Sequence, residues 1–138
     1  MIGVSASNNF LPLFIVIKGK KIPVDLQQFE DPQVVITSSE NAWITEETFI
    51  QWIDRVWKPY THHFTRSLLI MDQYRVHKTD RVLSLLQENK TDVVFVPTGL
   101  TFFSQPCDVY VNKPLKEKVK NLWQDHMLNQ KDTSGNLT

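Results

Sequence analysis

Two aspartates stand where oxygen chemistry is done in α/β proteins. Asp72 ends the apolar run Ser67-Leu68-Leu69-Ile70-Met71. Its carboxylate should therefore emerge at a strand's carboxyl edge, the side of open α/β sheets on which ligands bind. Asp108 begins the last helical segment, just beyond the loop that follows the next apolar run, Asp92 to Pro97. If those strands are neighbours, the two carboxylates converge at one end of the sheet. Paired carboxylates there are natural ligands for Mg²⁺ or Mn²⁺. Pattern alone favours the plainer reading, in which Asp72 terminates a strand and Asp108 caps a helix.

Other side chains carry weaker signals. His77 follows Asp72 by five residues and could lie near the same site, although an exposed histidine at a helix entry is the commoner outcome. Lys113, Lys116 and Lys120 share a face of the last helix and, with His77, are the candidates for nucleic-acid contact. A solvated helix face is the commoner reading of the lysines. His62-His63 has no Cys or His at zinc spacing. Cys107 stands beside Asp108 without a recognisable nucleophile–base partner.

The elements that must position these residues follow from local pattern. Met1 to Ser7 and Phe10 to Lys18 read as an antiparallel hairpin turning at Asn8-Asn9. Val34 to Thr37 is a third strand. Thr45 caps a helix with the stripe Phe49, Trp52, Ile53, Val56 and Trp57, stopped by Pro59. Ser67 to Met71 and Asp92 to Pro97 lack alternation and suit strands buried on both faces. A helix over Thr79 to Asn89 lies between them. The last helix, roughly Asp108 to Met127, starts late near Asn112 because of Pro114. It should turn Leu115, Val119, Leu122, Trp123 and Met127 inward, leaving 129–138 as a tail. The order argues for a mixed α/β sheet with helices on its faces.

Composition bounds the function classes. The chain has 138 residues, 41% hydrophobic, with 15 basic and 15 acidic side chains. That suits one domain with a real core, and excludes a strongly cationic nucleic-acid coat or a highly charged disordered chain. One cysteine excludes an internally disulfide-stapled module. No apolar run approaches the roughly 20 residues a bilayer span needs, and Met1 to Ser5 lacks the pattern of a signal peptide. A soluble, intracellular domain without membrane contact or a small-molecule cofactor is the expectation.

The segments Asp72-Gln73-Tyr74-Arg75-Val76-His77-Lys78-Thr79-Asp80, Val96-Pro97-Thr98-Gly99-Leu100-Thr101, Gln105-Pro106-Cys107-Asp108-Val109 and Asn112-Lys113-Pro114-Leu115-Lys116 occur in that order. Together they resemble the DDE superfamily endonuclease domain of pogo, Tigger and jerky-type transposases. Ser39-Glu40-Asn41-Ala42-Trp43-Ile44-Thr45 is similar to the same family, as is Val4-Ser5-Ala6-Ser7 with Leu11-Pro12 and Lys18-Gly19-Lys20. The resemblance spans Met1 to about Met127 and makes 1–128 one domain.

The resemblance implies a ribonuclease H-like mixed sheet flanked by helices and an acidic triad holding two Mg²⁺ or Mn²⁺ ions for attack on a phosphodiester. It makes Asp72 the second acid and Asp108 the third. The family's first acid lies on a strand before the segment that Met1 to Ser7 resembles, so the domain is expected to be truncated at its N-terminus. Either Met1 to Ser7 then pairs beside Ser67 to Met71, or another chain fills the gap, or the fold is unstable. The expected function is that of a transposase-derived, nucleic-acid-binding domain whose ancestral strand cleavage is lost in this chain. The alternative is a host-adopted, non-catalytic module that binds DNA or protein. Weak DNA affinity and a nuclear location complete the expectations.

Overall fold

The computed structural model describes residues 1–100 and 110–133, with side chains described as far as 129. Strand β1 (Leu13–Lys18) follows a tight turn at the N-terminus. A short helix α1 (Val24–Gln27) comes next, then β2 (Val34–Ser39). The helical region that follows runs without a break through α2 (Glu46–Trp52), a π segment (Ile53–Trp57) and α3 (Lys58–Thr61). Beyond it lie β3 (Ser67–Asp72), a 3₁₀ turn (Arg75–Lys78), α4 (Asp80–Glu88) and β4 (Thr91–Val96). The last described element is α5 (Asn112–Thr133).

The expected hairpin forms only in part. Val4 bridges Phe10 antiparallel, and Leu11 N–H donates to the Gly3 carbonyl at 2.9 Å. Phe14 N–H donates to the Met1 carbonyl at 3.1 Å, one residue out of that register. Pro12 lies at the slip, and without an N–H it cannot continue the ladder. Asn8 turns the chain with φ 62. Beyond the turn, β1 pairs with β2 in parallel, Leu13 opposite Val34 through Lys18 opposite Ser39. The opening is therefore parallel through a crossover containing α1.

The single ribonuclease H-like sheet expected from the resemblance is not formed among the described residues. They make two two-stranded sheets, β1–β2 and β3–β4, and Met1 to Ser7 folds back toward Phe14 and does not pair with β3. The strands β3 and β4 are not buried on both faces either. Met71 and Val96 are buried, whereas Leu68, Ile70 and Val94 are exposed. The apolar run hid the alternation, because both faces are apolar but only one has helix packed on it.

Side chains join what hydrogen bonds do not. Phe14 and Val35 from the first sheet, Phe49, Ile50, Trp52, Ile53, Val56 and Trp57 from the long helical region, Met71 from the second sheet, and Val82 and Leu86 from α4 form one buried cluster. A polar knot ties the end of α3 to the second sheet. Trp57 Nε1–H donates to Thr91 Oγ1 at 2.9 Å, and Asn89 Nδ2 donates to Thr61 Oγ1 at 3.0 Å.

The helix entering this core starts where the sequence places it. Thr45 Oγ1 accepts from Thr48 N–H at 3.2 Å, while Thr45 N–H donates to Thr48 Oγ1 at 2.8 Å. This is a reciprocal cap with threonine in the place usual for Glu or Gln. Thr45→Ala is expected to cost about 1 kcal/mol, and Thr45→Ser to cost less, as measured by urea unfolding. Equal stability of Thr45→Ala and wild type would show that the cap contributes nothing.

Pro59 does not stop this helix, which continues to Thr61. Lys58 N–H bonds back to the Ile53 carbonyl, five residues earlier. The wider π turn just before Pro59 relieves the clash a proline ring makes with the carbonyl four residues back. At the other end of the chain, a π turn at Tyr110 and Val111 runs directly into α5, which continues through 129 to Thr133. Its expected inner face is not buried: Val119, Leu122 and Trp123 are 57%, 60% and 62% exposed. The stripe was real as a pattern, but none of the described residues covers it.

Candidate functional site

Parallel pairing brings the two sheet ends of interest together. Asp72, the last residue of β3, lies opposite Val96, the last residue of β4. Both strands therefore deliver their following segments to the same edge. The first condition for convergence of Asp72 and Asp108 is met as far as Val96. Asp108 itself, like Cys107, lies outside the described residues.

Around Asp72 the chain builds a small, ordered cage. Oδ1 of its half-exposed carboxylate lies 2.9 Å from His77 Nδ1. Tyr74 N–H reaches the same oxygen at 3.4 Å, the i to i+2 contact by which aspartate favours a turn. The 3₁₀ turn closes as His77 N–H donates to the Tyr74 carbonyl at 2.9 Å, which carries the imidazole back beneath the strand end. His77 Nδ1 also lies 3.4 Å from the Asp72 carbonyl oxygen.

The histidine is buried, contrary to the expectation of an exposed residue at a helix entry. His77 is 8% exposed. Its ring packs 4.4 Å from the Phe49 ring, and the Tyr74 ring meets it edge-on at 5.5 Å. The buried ring offers little of its surface for direct contact with nucleic acid. The ring instead holds the carboxylate. Burial of a polar ring costs free energy unless its N–H is bonded, and Asp72 supplies the acceptor.

The remaining candidates are dispersed. Lys113, Lys116 and Lys120 are exposed on α5, at helical spacings that share a face. His62 and His63 are exposed with their ring centroids 3.5 Å apart and their planes tilted by 43°, and His62 Nδ1 lies 2.8 Å from the Pro59 carbonyl oxygen. Among the described residues no group of three or more His, Cys, Asp or Glu is arranged to hold a metal ion. The chemistry of the Asp72 donor suits a hard cation, since an oriented, half-exposed carboxylate at a sheet edge is an ordinary ligand for Mg²⁺ or Mn²⁺.

One feature adjoining this site escapes the reading of candidate residues. A groove of 560 Å³ is lined by Asn41, Trp43, Tyr74 and Arg75, among others, between the loop before α2 and the 3₁₀ turn. Its signal in the sequence was slight: Trp43 lies outside the apolar stripe of the helix it precedes.

Comparison with known proteins gives a consistent identification. A family model described as "DDE superfamily endonuclease" matches residues 1–137. The chain is 34% identical over 139 residues to the mouse protein "Pogo transposable element with KRAB domain", covering 99% of this chain and 22% of that one. The human protein of the same name is 33% identical, with the same coverage. The human "Pogo transposable element with ZNF domain" is 24% identical over 135 residues, 97% of this chain and 9% of that one. The chain thus spans less than a quarter of the length of each of these relatives. No solved structure matches. No helix among the described residues is long and apolar enough to cross a membrane.

Proposed function

The chain belongs to the DDE superfamily endonuclease family, and from that premise we propose that it supplies two metal-ligating acids, Asp72 and Asp108, to a transposase-derived nuclease-type domain. Domains of this superfamily are in general dependent on divalent metal ions, and Mg²⁺ or Mn²⁺ is the proposed cofactor. Bound between carboxylates, such ions would activate the attacking oxygen and stabilise the leaving one. The observation that carries the reading is the His77–Asp72 pair at the carboxyl edge of the parallel strands β3 and β4. It is an acid held against a buried imidazole.

The same reading assigns roles to other residues. Residues 1–128 form one domain. His77 holds Asp72 in place. Lys113, Lys116 and Lys120 contact DNA phosphates from the exposed face of α5, with weak affinity because the 15 basic side chains of the chain are balanced by 15 acidic ones. The second sheet would be completed by a strand from another segment or from a partner chain, because β3 pairs only with β4 among the described residues. A nuclear location accords with the pogo-type relatives.

A non-catalytic binding module is the second reading, favoured by the exposed apolar residues Val119, Leu122 and Trp123 along α5. Calorimetric titration with Mn²⁺ separates the two. Heat of binding is expected in the wild type and should be lost in both Asp72→Ala and Asp108→Ala. Equal heats in all three proteins, or none in the wild type, would overturn the metal site and leave the binding module.

A further inference from the structure

We propose that the groove beside Asp72, between Trp43 and the Tyr74–Arg75 turn, receives one unpaired nucleobase of a DNA strand together with its phosphate. This rests on the reading of the chain as a DNA-contacting domain and names where an unpaired nucleotide would sit.

The groove has the parts that single-stranded nucleic acid requires. Trp43 is 68% exposed. Such a flat, exposed π-face offers stacking to any base. Tyr74 presents a second aromatic surface, held in place because its hydroxyl donates to the Ile44 carbonyl at 3.2 Å and its ring meets His77 edge-on. Arg75 is exposed, lines the same groove and makes no ion pair with any described residue. Its guanidinium can meet a phosphate in bidentate fashion without first breaking another contact. Glu46, the acid of the lining, lies 3.6 Å from Arg81, which also pairs with Glu47. That partner offsets its repulsion toward a phosphate.

Position and backbone support the same assignment. Tyr74 and Asp72 are joined through the turn that orients the carboxylate. The lining of the groove thus begins two residues beyond Asp72. Trp43 is presented by a loop in which Ala42 adopts φ 58, and Ser39 Oγ–H donates to the Trp43 carbonyl at 2.8 Å. A non-glycine residue held in the left-handed region has a conformational cost and recurs at ligand sites. An exposed tryptophan on such a loop contributes little to the core, which leaves its ring available.

The test uses the full chain and fluorescence anisotropy with two labelled DNAs, a blunt duplex and the same duplex bearing a short single-stranded overhang. Wild type is expected to bind the overhang DNA about 5- to 100-fold more tightly, the range of one stacked base. Trp43→Ala should remove that preference while leaving blunt-duplex binding unchanged, Trp43→Phe should retain most of it, and Arg75→Ala should reduce it. Because Trp43 is exposed, Trp43→Ala should unfold at the wild-type temperature. A preference that survives Trp43→Ala, or no preference in the wild type, overturns the groove while leaving DNA contact intact. Binding to neither DNA overturns the DNA reading and the groove with it.

Discussion

Phe49→Ala is expected to remove about 3–5 kcal/mol of stability, the largest effect of any single substitution considered. Phe49 is 2% exposed and stacks on Trp52 at 5.4 Å with 12° between the planes. Its other side meets the His77 ring at 4.4 Å. The two sheets share no ladder among the described residues, so side chains of the helical region carry the link between them. Removing a phenyl ring there forfeits its burial and leaves a cavity that stacked, rigid rings cannot collapse to fill. Set against a typical total of about 5–15 kcal/mol, that is a large share. Urea unfolding should show a much lower midpoint, and Phe49→Leu should lose only about 1 kcal/mol because volume is nearly kept. A loss below about 1 kcal/mol for Phe49→Ala would mean that the two halves are held together elsewhere.

The same ring marks how far the sequence could be read. Elements dictated by neighbours along the chain were legible. The Thr45 cap and the Thr79 cap accepting from Val82 N–H at 3.3 Å both follow from side chains reaching their own backbone. Properties set by contacts between distant segments were not. Leu68 and Ile70 look like core in sequence, yet only the alternate residues Leu69 and Met71 turn toward a helix. Pro59 reads as a stop because nothing local announces the π turn that accommodates it. The parallel pairing of β1 with β2 requires a crossover that α1 makes too briefly to register as a helical period. At the site, Asp72 was legible because it ends an apolar run. The burial of His77 was not, since the ring covering it comes from α2, and no spacing rule connects the two.

That hidden contact gives His77 a role that substitution can separate from mere packing. His77→Ala is expected to weaken Mn²⁺ binding at Asp72 by about 10- to 100-fold, the usual cost of removing a donor that orients a metal-ligating group. His77 Nδ1 stands 2.9 Å from one carboxylate oxygen, and without that neighbour the side chain would have to be ordered by the ion itself, which weakens binding. His77→Ala also removes the ring from beneath Phe49, so its melting temperature should fall as well. The amide N–H of Asn lies close to where Nδ1 stands, whereas that of Gln lies farther along the side chain. His77→Asn should therefore recover most of the Mn²⁺ affinity without recovering the stability, and His77→Gln should recover neither. Titration calorimetry on the three variants, beside thermal unfolding of each, reads the two effects independently. Asp72→Ala supplies the reference for complete loss. If Mn²⁺ affinity followed melting temperature through the series, with Asn no better than Gln, His77 would be a core residue that happens to touch an aspartate. Recovery by Asn alone would make it the positioning residue of the site.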